Sequence, residues 1–156
     1  MSAVPSAQGA PSAPLPPVPR CAPFMRHTLP EYVGLVLLTA LSAFAAVSGV
    51  VVDFSSTHIY NPAWPPHAQF HGYLSIARTV LIMLVVIGLA WGPVRVGTPY
   101  AWHVLVALLF GWLGAWFIAP LVVPGTGDRA AFLFASVLTL LALIGAWLLR
   151  PPQRRG

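Results

Sequence analysis

Residues 32–52 read YVGLVLLTALSAFAAVSGVVV. These 21 residues contain no charge, and the next residue is Asp53. A helix needs about 20 apolar residues to cross ~30 Å of hydrocarbon, so this stretch is read as a membrane span. The pattern repeats three times along the chain, at about 68–91, 100–120 and 130–149. Only the second of the four spans carries a charge, Arg78. Pro30 before the first span and Pro151 after the fourth are natural stops. Pro93 and Pro99 bracket a short turn, which predicts that spans two and three form an antiparallel pair. The expected fold class is all-α: a polytopic membrane four-helix bundle over 31–150, with a disordered N-terminal tail.

Composition agrees with that reading. The chain has 156 residues, 58% hydrophobic and 7% charged. Ordinary soluble domains carry about 25% charged residues, enough to cover a wet surface. The net charge of +5 comes from Arg alone, because there is no Lys. These Arg residues stand singly or near span ends and form no basic face, so nucleic acid is not an expected partner. The single Cys21 excludes an internal disulfide, a C-x-x-C pair and a Cys-based metal site. Residues 1–30 are rich in Pro, Ala and Ser. They bury too little apolar surface to offset their ordering entropy, so they are expected to be a disordered tail. They lack the apolar core of a signal peptide.

Orientation follows from the Arg residues. Arg20 and Arg26 precede span one, Arg95 lies between spans two and three, and Arg150, Arg154 and Arg155 follow span four. The first loop has no Lys or Arg, and Arg129 in the third is offset by Asp128. The positive-inside rule then places both termini in the cytoplasm, with the 151–156 tail, and turns loops 53–67 and 120–129 outward. Trp91, Trp102, Trp116 and Trp147 lie near span ends, as interfacial aromatics do. The small pairs Ala45/Gly49, Gly111/Ala115 and Ala142/Ala146 are candidate helix contacts, because close backbone approach favours small side chains.

Helical spacing groups the polar side chains. On span one, Thr39, Ser42, Ala46, Gly49 and Asp53 form a seam of small and polar residues. On span two, His67, His71, Ser75 and Arg78 share a face that turns apolar at Ile82, Val85 and Leu89. On span four, Arg129, Ser136 and Thr139 share a face. Arg78 falls about 15 Å into its helix. An unpaired Arg at that depth costs at least ~2.5–3.5 kcal/mol, so it is expected to face the bundle interior. The sequence thus predicts an outward pocket. Its mouth carries Asp53, His58, His67 and His71; its floor carries Arg78, Ser75, Ser136 and Thr139; Trp112 and Trp116 form an aromatic wall. His67 and His71 have the four-residue spacing of two ligands to one metal on a helix face. With His58 and Asp53 they make a candidate set for a divalent metal, the one cofactor the sequence suggests. His103, near the opposite end, is read as interfacial.

The loop from Asp53 to Gly72 reads DFSSTHIYNPAWPPHAQFHG. Its Asn-Pro-x-Trp-Pro-x-His-Ala-x-Phe-His string resembles a signature shared by small four-span membrane proteins of uncharacterised activity. The resemblance covers the loop and the start of span two, and implies the four-span layout but no reaction. A looser similarity is to sterol-isomerase-like membrane bundles, which move protons with acidic and His side chains; their intramembrane Glu residues have no counterpart here.

The functional expectation is a membrane protein that binds or processes an amphipathic lipid-like small molecule. Arg78 would anchor an anionic or carbonyl group. His67, His71 and Asp53 would exchange protons or hold metal, chemistry for which imidazole is suited. The alternative is a non-enzymatic accessory or scaffold subunit whose loop docks a partner. Alternating-access transport has little support, because the four spans show no repeated half or broken helices. The chain has no phosphate-binding Gly loop, G-x-S-x-G elbow, HExxH or thiol pair.

Overall fold

A computed structural model describes residues 28–98, 100–127 and 129–151. The expected disordered tail, apart from its last residues, and the 152–156 end lie outside the described residues, as does Asp128. Four long helices account for most of what is described, and there are no strands among those residues. All four are long and apolar enough to cross a membrane.

The first helix, α1, spans Leu29–Asp53. Thr28 caps it: its hydroxyl accepts from the Glu31 N–H, and the Glu31 carboxylate accepts from the Thr28 N–H. Pro30 fits the first turn, where no N–H is needed. The second helix, α2, spans Pro66–Leu89, again opening on Pro. A π-helical turn, Ala90–Val94, extends it and contains Pro93, which has no N–H to continue an α-helical ladder. The third, α3, spans Ala101–Val122 and runs through Pro120, beyond the end expected at that residue. The fourth, α4, spans Arg129–Leu148. The connections on either side of α3 use positive φ, at Gly97 and Tyr100 before it and at Gly125 and Gly127 after it.

The helices form a ring in chain order. Helix α1 packs on α2 and α4, and α3 packs on the same two, while the diagonal pairs do not meet. Packing is uneven along the bundle. Leu35, Leu38, Met83, Val86, Ala90, Leu105, Leu109, Ala142 and Leu149 are buried, and most lie toward the end with the 95–100 turn. Toward the end with the 54–65 loop a cavity separates the helices. Side chains such as Leu81, Leu84 and Leu140 are exposed on the outer faces, which lipid covers in a membrane.

A close approach of α1 and α4 is made by two glycines outside the small pairs named above. A Cβ on Gly34 would stand 2.9 Å from Leu148 Cβ and 3.0 Å from the Gly145 carbonyl oxygen. A Cβ on Gly145 would stand 2.8 Å from Leu38 Cδ2. These two glycines let α1 and α4 approach closely there. Ala45, Ala142 and Ala146 are buried as expected of small contact residues, but a Cβ on Gly111 would meet nothing within 4 Å. Gly111 is therefore not a contact glycine.

Three indoles tie helices together. Trp91 Nε1–H donates to Thr39 Oγ1 at 2.8 Å, and Trp102 Nε1–H donates to the Ala146 carbonyl at 2.8 Å. Trp112 Nε1–H donates to Thr79 Oγ1 at 3.1 Å. Trp91 and Trp102 thus serve as cross-helix donors as well as end-of-span aromatics. A buried indole needs such a partner. Ser42 is the exception to polar satisfaction: it is fully buried on α1, and its hydroxyl has no partner.

Candidate functional site

The loop between α1 and α2 folds through its own backbone. Ile59 N–H donates to the Asp53 carbonyl, Tyr60 and His58 N–H donate to Ser55, and Trp64 N–H donates to Asn61. The Asn61 side chain accepts from the Ala63 N–H, an Asx turn that explains why Asn precedes Pro62. Ile59 is buried against Gly72, where a Cβ would come within 2.8 Å of its side chain. Gly72 therefore lets the loop dock on α2. Docking brings His58 to the start of that helix, with its ring edge-on to Trp64 at 6.0 Å. The His58 Nδ1 lies 3.0 Å from Thr57 Oγ1 and 3.3 Å from Ser55 Oγ.

Beneath this loop is a cavity of about 360 Å³ lined by Asp53, His58, Trp64, His71 and Ser75, among others. A larger cavity, about 930 Å³, lies deeper between all four helices. Asp53 and Ser75 line both. The larger one is walled by Phe44, Ser48 and Gly49 of α1, Arg78, Thr79 and Ile82 of α2, Trp112 and Trp116 of α3, and Phe132 and Leu138 of α4. Its size is typical of small-molecule sites, ~300–1,000 Å³.

Arg78 lies about 18 Å along the α2 axis from Pro66. It lines the larger cavity and is exposed there, with no hydrogen-bond or ion-pair partner among the described residues. The Asp53 side chain has none either. Of the expected α2 face, His71 and Ser75 line the small cavity, and Ser75, Arg78 and Ile82 line the large one. Trp112 and Trp116 are on the cavity wall.

Other expected members are placed elsewhere. Ser136 and Thr139 line neither cavity. Their hydroxyls donate back to the Phe132 and Ala135 carbonyls, both at 2.8 Å, and α4 lines the larger cavity with Phe132, Phe134 and Leu138 instead. His67 lines neither cavity, and its Nε2 lies 3.1 Å from His71 Nε2 on the exposed side of the first turns of α2. One ring donates its N–H to the bare nitrogen of the other.

The metal set of His58, His67, His71 and Asp53 is not assembled. Among the described residues no three His, Cys, Asp or Glu side chains gather to hold a metal ion. The cause is local: His58 is turned toward the Ser55 and Thr57 hydroxyls, while the four-residue spacing brings His67 and His71 to each other.

The sequence reading missed Thr79, Phe44, Ser48 and Phe132 on the cavity wall. Thr79 carried a signal, since it directly follows Arg78 on the polar side of α2. The two Phe residues carried none. No family model matches the chain, and no curated protein or solved structure does.

Proposed function

We propose that this integral membrane protein binds an amphipathic, lipid-like small molecule in the cavity at its loop end. Arg78 holds the anionic or carbonyl group of that molecule. One observation carries the reading: a guanidinium without a partner among the described residues, on the wall of a cavity that is otherwise mostly apolar and aromatic. In a membrane such an Arg needs a counter-charge or water, and a ligand headgroup supplies the first. Phe44, Ile82, Trp112, Trp116, Phe132 and Leu138 receive the apolar part. Asp53, Ser75 and His71 stand where polar atoms of the ligand enter, and proton exchange there falls to Asp53 and His71. The Arg distribution supports a loop end that faces outward, with both termini cytoplasmic.

Tryptophan quenching by a bromine-labelled single-chain carboxylate tests this. Trp112 and Trp116 in the cavity report its arrival. Wild type is expected to be quenched saturably, and Arg78→Gln to weaken binding by about tenfold or more, the loss of a charged hydrogen bond. Equal quenching of both proteins would remove Arg78 from the account.

The scaffold reading has its own observation: Tyr60, His67 and Phe70 are exposed around the loop. It predicts that His67→Gln reduces capture of a partner while amphiphile binding is absent from wild type.

A further inference from the structure

The two cavities share Asp53 and Ser75 in their walls. Arg78 lies three residues beyond Ser75, ~4.5 Å deeper along α2. Ile82 follows one turn further in, with Phe44 and Leu138 on the facing helices. From the loop end inward, the wall therefore presents a carboxylate, then a guanidinium, then hydrocarbon. Neither charge is neutralised by the other or by any described residue.

This order restricts the ligand. A headgroup with negative charge alone would satisfy Arg78 but bring like charge toward Asp53, which disfavours it. A headgroup with an ammonium outside a phosphate satisfies both. Arg takes phosphate oxygens with two parallel N–H donors, and an ammonium gives charge-assisted hydrogen bonds to a carboxylate. The order ammonium, phosphate, acyl chain is also how an aminophospholipid lies in one leaflet, head toward water. Resting on the amphiphile reading above, we propose that the two cavities together take a zwitterionic aminophospholipid. Its ammonium is held by Asp53 in the small cavity, its phosphate by Arg78, and an acyl chain runs along Ile82, Phe44 and Leu138.

The test compares phosphatidylethanolamine with phosphatidylglycerol of identical acyl chains, titrated onto the detergent-purified full chain and read by native mass spectrometry. The two lipids share a phosphate and differ in the ammonium. Wild type is expected to bind the ethanolamine lipid about tenfold more tightly. Asp53→Asn is expected to bring the two lipids level by weakening the ethanolamine lipid alone, and Arg78→Gln to weaken both. Neither side chain has a hydrogen-bond or ion-pair partner to lose among the described residues, so both variants are expected to keep wild-type helicity. A wild type that binds both lipids equally, or an Asp53→Asn protein that keeps the preference, overturns the zwitterion assignment and leaves the amphiphile reading standing. Failure of wild type to bind either lipid overturns both.

Discussion

Arg78 and Ser42 present the same problem with different outcomes: each is a polar group in a span with no described partner. Arg78 opens onto a cavity, so a ligand or water is able to reach it. Ser42 is sealed in packed side chains. A buried hydroxyl without a hydrogen bond costs about 1–3 kcal/mol, so Ser42→Ala is expected to raise thermal stability in detergent. A fall in the melting temperature would mean that Ser42 is bonded after all. Gly72 makes the opposite prediction. Its missing Cβ is the space that Ile59 fills, and Gly72→Val is expected to cost ~1–3 kcal/mol by overpacking. The loop should then be cut faster by added protease; unchanged cleavage would show that the loop is held by other means.

Helix positions were legible from hydropathy, because lipid demands a minimum apolar length, but prolines were poorer guides to the ends: Pro93 lies inside the π-helical turn and Pro120 inside α3. Helix rotation was legible only where polar spacing marked one face. On α2, His71, Ser75 and Arg78 fixed the inward side, and the cavity wall follows it. On α4 the same reasoning placed Ser136 and Thr139 inward, and it failed because Ser and Thr satisfy themselves on the preceding turn. Such a hydroxyl makes no demand on its surroundings, so it says little about direction. The small-residue argument failed for a related reason. It sought pairs four apart within one helix, whereas the approach is Gly34 on α1 against Gly145 on α4. Gly145→Leu is therefore expected to destabilise the bundle by at least ~1–3 kcal/mol, while Gly111→Leu, with open space at its Cβ, stays within ~0.5 kcal/mol of wild type. Thermal melts of the two variants check this, and equal stability would contradict the α1–α4 crossing.

At the scale of the molecule, one end of the bundle is packed and the other is open, and the proposed function depends on the open end. Four apolar spans give a fold but not a rotation of each helix, so a cavity of this volume could not be read from the sequence. The convergence of Asp53, Ser75 and Arg78 could, because each lies on a face marked by polar neighbours. The central claim is that the α2 face carrying Ser75, Arg78 and Ile82 borders an aqueous-accessible cavity reached from the loop end. Single cysteines along α2, in a Cys21→Ser background, test it with a membrane-impermeant thiol reagent. Reaction is expected at positions 75 and 78, and more slowly at 82, from the loop side only, with none at the outer-face positions Leu81 and Leu84. Labelling without that helical periodicity, or labelling of 78 only from the opposite side, would contradict the account.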